Sequence, residues 1–212
     1  MVDKIKIDVV SDVVCPWCII GYRNLEQAIA ELGLQDRVEI EWQPFELNPD
    51  MPAEGENLSA HSARKYGSTP ESSAQFRLDM AARGAEVDFK FDYFKEMKIV
   101  NTRDCHVLLE YAKEFNLQTE LKLRLFAAFF TEHKDVSDRA VLAKEAEAVG
   151  LNVEAAMAKL EDDSCLKEIQ ETEAQWHQMG VSSVPTVVVN RKSAIAGAHP
   201  VEGFKQLLQS AI

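Results

Sequence analysis

The chain has 212 residues, 46% hydrophobic and 27% charged, with 35 acidic against 23 basic side chains and a formal charge of −12. This composition builds a sizeable globular core, and its acidic surface repels phosphate backbones and anionic lipid, which excludes nucleic acid and membrane surfaces as expected partners. Nine Gly, seven Pro and four Cys are too few for a collagen-like chain, a low-complexity chain or a disulfide scaffold.

The chain opens MVDKIKIDVV, where Asp3, Lys4, Lys6 and Asp8 interrupt any apolar signal-peptide core. No stretch approaches the ~18 uninterrupted apolar residues of a membrane span. A cytoplasmic protein is expected, in which paired cysteines are catalytic or metal-binding rather than structural. Ile5, Ile7 and Val9 alternate with polar residues and predict a strand with one buried face. After a short connection comes Cys15-Pro16-Trp17-Cys18. Leu25, Ala28, Ile29 and Leu32 then fall on one helical face, with Gly33 as the stop. Val38, Ile40 and Trp42 alternate again, so the opening reads β-α-β with parallel strands.

The middle is expected to be helical. Residues 46–84 begin as loop and short helix, and residues 87–91 read as a brief extended segment or an edge loop. Helices are expected after Thr102, Thr119, Ser137 and Asp163 as start signals, with Gly150 and Gly180 as stops. The end returns to strand. Thr186-Val187-Val188-Val189, a turn at 190–192 and residues 193–196 predict a hairpin, and Pro200 suits the first turn of a last helix carrying Phe204, Leu207 and Leu208.

The chemistry concentrates at Cys15 and Cys18. With Pro16 at the first helical position, Cys15 takes the N-cap site, where the unpaired N–H groups of Trp17 and Cys18 and the positive end of the helix dipole favour thiolate over thiol. Cys18 lies one turn along and faces inward. Cys15 can then attack a disulfide and Cys18 can resolve the mixed disulfide. A zinc half-site competes with this reading, but there is no second C-x-x-C, and Cys105-His106 is the one adjacent Cys/His pair. No metal is expected. Pro185, ahead of a β-branched run, belongs at a strand start, and the residues alone fit a plain trans proline there.

Other residues carry weaker signals. Cys105 and Cys165 read as small buried apolar side chains. His106, His133 and His177 read as surface or satisfied-core residues, and His199 as a turn residue or a neighbour of the ligand. Phe126, Phe129 and Phe130 read as core, with some as the wall of a cleft.

The stretches IDVVSDVVCPWCIIGYRNLE, FELNPDMPAEGE, NTRDCHVLLEYA, LFAAFFTEHKDVSDRAVLAKEAEAVGL, VSSVPTVVVN and AIAGAHPVEGF together resemble the DsbA family of the thioredoxin superfamily. More narrowly they resemble its FrnE-like branch, grouped with 2-hydroxychromene-2-carboxylate isomerases. The resemblance implies an α/β fold: a thioredoxin-like β-α-β … β-β-α sheet at residues 1–47 and 181–212, split by an all-helical insertion at 48–180. It implies Cys15 as attacking and Cys18 as resolving cysteine, with a cis Val184–Pro185 bond opposite them. Pro16, Trp17, Val184, Pro185, Asn101 and Thr102 would meet the substrate. Trp17 stands where DsbA proper has His, so a weaker oxidant is expected.

The implied function is a cytosolic thiol–disulfide oxidoreductase acting on protein or peptide thiols. It needs no cofactor, and glutathione is a candidate co-substrate. Two other readings stand beside it: a glutathione-dependent isomerase of 2-hydroxychromene-2-carboxylate type, and a redox-independent peptide-holding chaperone. Retaining both thiols favours exchange, because the related isomerases typically carry Ser at the attacking position. The sequence leaves the oligomeric state open, a homodimer included.

Overall fold

A computed structural model describes residues 4–210. The outermost positions of the expected sheet-bearing segments, 1–3 and 211–212, lie outside the described residues. β1 (Ile5–Ser11), α1 (Pro16–Glu31) and β2 (Val38–Pro44) form the opening unit, with β1 and β2 parallel as the alternation predicted. β5 (Thr186–Val189) and β6 (Ser193–Ala196) form the hairpin, and β5 lies antiparallel to β1. The strand order is therefore β2-β1-β5-β6. α9 (Val201–Gln209) closes the chain and packs on α1.

Between β2 and β5 lie α2 (Leu58–Tyr66), α3 (Pro70–Glu86), α4 (Arg103–Lys113), α5 (Gln118–Phe130), α6 (Arg139–Ala148), α7 (Val153–Leu160) and α8 (Asp163–Gln178). The expected all-helical insertion also carries one ribbon: β3 (Glu56–Asn57) pairs antiparallel with β4 (Lys98–Ile99). Strands of two residues show no period that a sequence could reveal. Residues 89–94 have no regular structure, so the edge-loop alternative holds there. None of the described helices is long and apolar enough to cross a membrane.

Three helix starts differ from expectation. Asn101, not Thr102, accepts from the Arg103 N–H at 3.0 Å, and Thr102 at the N-cap makes no side-chain cap bond. α5 begins at Gln118, so Thr119 sits inside the helix, where its hydroxyl accepts from Trp42 Nε1 at 3.0 Å. Asp138 caps α6 in place of Ser137. At α4 and α6 a neighbouring polar residue, Asn101 or Asp138, takes the orphan amide; at α5 the N-cap is Leu117, with no side-chain cap.

The buried core runs without a break from the sheet into the helices. Ile7 and Val9 share one cluster with Leu125, Phe126 and Phe204. On the other side of the sheet, Val10 and Val188 pack with Phe45 and Trp176, so α8 covers the second face.

An ion-pair junction ties the sheet to α4. Glu41 on β2 meets Lys6 of β1 at 2.6 Å and Lys113 of α4 at 2.8 Å. Partial burial raises the Glu41 carboxyl, but the two lysines outweigh it and bring its pKa to about 2, from an ordinary 4.5. A carboxylate depressed on folding stabilises the fold fully above its unfolded pKa. That contribution fades as pH falls from about 4.5 to about 2. Glu41→Gln is expected to cost about 1 kcal/mol at pH ~7, the discounted value for a partly solvated pair, and to flatten the acid limb of stability. Urea unfolding at several pH values checks this, and an unchanged acid limb would refute it.

Candidate active site

The strand-to-helix turn after β1 delivers both thiols. Cys15 is the N-cap of α1 with extended backbone (φ −93°, ψ 110°), and Pro16 opens the helix. The Cys18 N–H donates to the Cys15 carbonyl at 3.1 Å, and the Cys15 N–H donates to the Asp12 carbonyl at 3.2 Å. All four cysteines are free.

The expected capping of the Cys15 sulfur is not observed: its side chain makes no cap bond. Sγ instead donates across the cleft to the Val184 carbonyl at 3.8 Å. The Val184–Pro185 bond is cis, as the resemblance implied. Gly21 on α1 lets the Pro185 ring close on the helix, since a Cβ there would lie 3.1 Å from Pro185 Cγ.

Cys15 keeps 4% of its surface exposed and Cys18 none. Burial, and then the neighbouring Cys15, push the Cys18 thiol well above its ordinary pKa; Lys122 and the Asp12 backbone oppose that rise. Lys122, on α5, is fully buried, with its Nζ 5.2 Å from the ring centroids of both Trp42 and Phe126. That Nζ has no hydrogen-bond partner among the described residues. Burial pushes its pKa down, while Cys18 and Asp12 resist.

Asp12 completes this buried layer. Its Oδ2 accepts from the Leu47 N–H at 2.8 Å, and its Oδ1 lies 3.4 Å from His106 Nε2. Burial raises Asp12, but His106, Leu47 and Lys122 together hold it below its ordinary value. Cys105 donates to the Val136 carbonyl at 3.2 Å, and burial drives its pKa up, which leaves an inert thiol.

A cavity of about 560 Å³ opens beside Cys15. Pro16, Trp17 and Val184 line it, and so does Phe130. Pro185 is buried behind Val184. Asn101 and Thr102 are not among the lining residues: Asn101 Nδ2 donates to the Met51 carbonyl at 3.3 Å, and Thr102 is buried. His199 is spent on the turn before α9, where its carbonyl accepts from Asn24 at 2.9 Å.

Sequence reasoning missed the opposite wall, which comes from α2, α3 and residues 93–99, with His61, Tyr66, Phe76, Arg77, Tyr93 and Met97. It also missed Asp12 and Lys122. Lys122 had a readable signal: it shares a helical face with Leu125, Phe126 and Phe129, where a solvated lysine would not sit.

The chain matches the family description "DSBA-like thioredoxin domain" over residues 6–209. It is 28% identical over 206 residues to the uncharacterized protein YwbO of Bacillus subtilis (strain 168), which covers 96% of each chain. A structure described as a probable DsbA oxidoreductase from Streptomyces coelicolor superposes with a TM-score of 0.92 at 28% identity, over 98% of this chain and 89% of that one. The cytosolic disulfide reductase DsbM from Pseudomonas aeruginosa, solved with GSH, shares the fold with a TM-score of 0.67 at 12% identity, over 97% of this chain and 98% of that one.

Proposed function

The chain belongs to the DSBA-like thioredoxin domain family, and on that premise we propose that it is a thiol–disulfide oxidoreductase working through Cys15 and Cys18 in the cytoplasm. One arrangement carries the reading: Cys15 at the mouth of α1 facing the Val184 carbonyl, with Cys18 fully buried one turn behind. The outer thiol meets the partner and forms a mixed disulfide. The inner thiol, sheltered from competitors, attacks Cys15 Sγ and releases the partner reduced. The Val184 backbone holds the partner beside Cys15. Partners are thiols and disulfides, with glutathione as a co-substrate. An isomerase that uses the thiolate of glutathione has no need of a second thiol, so the Cys18 position favours exchange.

Equilibration of the intact protein with glutathione and glutathione disulfide in varied ratio tests this. A single two-electron transition is expected, with loss of two hydrogens by mass and formation of a Cys15–Cys18 disulfide. If that disulfide forms at no ratio, the function is refuted.

A further inference from the structure

The wall that faces Cys15 specifies a partner. A volume of about 560 Å³ fits a small molecule rather than a polypeptide loop. Cys15 shows 4% of its surface, so a disulfide on a folded protein would have to reach a recessed sulfur. The lining is mainly apolar, with Phe76, Met97, Ile99 and Phe130 facing the cleft.

Its charge is unusual for this chain. The protein carries 35 acidic residues, yet among the described residues none of those lining the cavity is acidic. Arg77 and His61 do line it. The His61 ring is engaged by Glu56 at 2.8 Å, and one arm of Arg77 is engaged by Ser59 Oγ at 2.6 Å, which leaves Arg77 with donors to spare. Tyr93 adds a buried hydroxyl with no hydrogen-bond partner among the described residues. Its phenol stays protonated, since burial and then the nearby Cys15 raise its pKa. Such a hydroxyl is a donor waiting for an acceptor.

We propose, resting on the oxidoreductase reading above, that this cavity takes a small anionic disulfide with a flat apolar body. Its sulfur lies at Cys15, its body against Phe76, Met97 and Phe130, and its anionic group at Arg77 and Tyr93. The thiolate of Cys15 attacks one sulfur, so the Cys15–S bond forms as the ligand's S–S bond breaks and one ligand thiolate leaves. Cys18 gives up its proton and attacks Cys15 Sγ, and the second ligand thiolate leaves. Two electrons pass from the protein dithiol to the ligand, and the two thiol protons end on the two ligand thiols. Two equivalents of a monothiol such as glutathione return the protein to the dithiol and are themselves oxidised to a disulfide.

The test is the oxidation rate of the pre-reduced protein by four probes: dithiobis(nitrobenzoate), an anionic aryl disulfide; dithiodipyridine, a neutral one; glutathione disulfide, anionic without an aryl body; and insulin. The anionic aryl disulfide is expected to react with the largest second-order rate constant. Arg77→Gln is expected to lower the ratio of second-order rate constants for the anionic over the neutral aryl disulfide about tenfold, through weaker binding, and Arg77→Lys to restore part of it. A ratio unchanged in Arg77→Gln, or insulin reacting as fast as the aryl probes, overturns the assignment of the cavity while the oxidoreductase reading stands. Reaction with none of the four overturns both. Partial restoration by Arg77→Lys, measured on preparations with wild-type circular dichroism, separates loss of the anion contact from loss of the fold.

Discussion

Cys15→Ser is expected to reduce disulfide exchange to the rate seen without protein, while Cys18→Ser keeps the first attack and accumulates a mixed disulfide. The asymmetry follows from burial. Cys15 keeps a little exposed surface and lines the cavity, whereas Cys18 is fully buried and does not line it. A hydroxyl at position 15 is a poor nucleophile near neutrality, so no covalent adduct forms. With Ser at position 18 the adduct forms and has no internal route to resolve. Mass spectrometry after a pulse of small disulfide should show one added thiol on Cys18→Ser and none on Cys15→Ser. An adduct on the Cys15→Ser protein would reverse the order of attack, and wild-type turnover by either variant would refute the two-thiol mechanism.

The second large effect is expected at Lys122. The resolving step needs Cys18 as thiolate, and burial opposes that charge; Lys122 is the cation that favours it. Lys122→Met keeps most of the volume and removes the charge. The second step should slow by about tenfold or more, each ~1.4 kcal/mol withdrawn from the thiolate costing a factor of ten. The first attack should change far less, and mixed disulfide should build up in a protein that still has both cysteines.

Stability should move the other way. A fully buried amine without a hydrogen-bond partner disfavours folding. Its folded pKa lies below the ordinary 10.5, so the cost is fully present below the folded value and fades as pH rises toward 10.5. The Met variant should therefore be more stable than wild type near neutrality, by about 1–3 kcal/mol, with the gap closing in alkali. Stopped-flow quenching and denaturant unfolding at two pH values check both halves. Wild-type resolution in the Met variant would remove Lys122 from the chemistry.

The sheet and the reactive pair were legible because their signals are local and strong. Ile5, Ile7 and Val9 alternate, Cys-Pro-x-Cys sits where a strand gives way to a helix, and Val184-Pro185 precedes a β-branched run. The cavity was not, because its far wall is assembled from Tyr66, Phe76, Arg77, Tyr93 and Met97, which no single period links. Phe130 reads most simply as core, and the structure places it both in the core and on the cavity wall. α7 was overlooked because VEAAMAKL is short and its buried face amounts to Ala156. Asp12 falls in the short connection after β1, and only the arrival of His106 and Lys122 from distant helices makes it part of the site. The resemblance implies Asn101 and Thr102 at the substrate; neither lines the cavity, and the Asn101 side chain accepts from the Arg103 N–H at the start of α4.

The division of labour between the sheet and the inserted helices has an evolutionary corollary. Both sulfurs and the Val184 carbonyl come from the strand-and-helix scaffold, while the cation that favours the inner thiolate comes from α5 and the far wall of the cavity largely from α2 and α3. Drift within the inserted helices can therefore retune electron affinity and substrate preference together, with the reacting atoms untouched. A chimaera carrying a paralogue's insertion would inherit that paralogue's taste in partners while keeping its own catalytic couple.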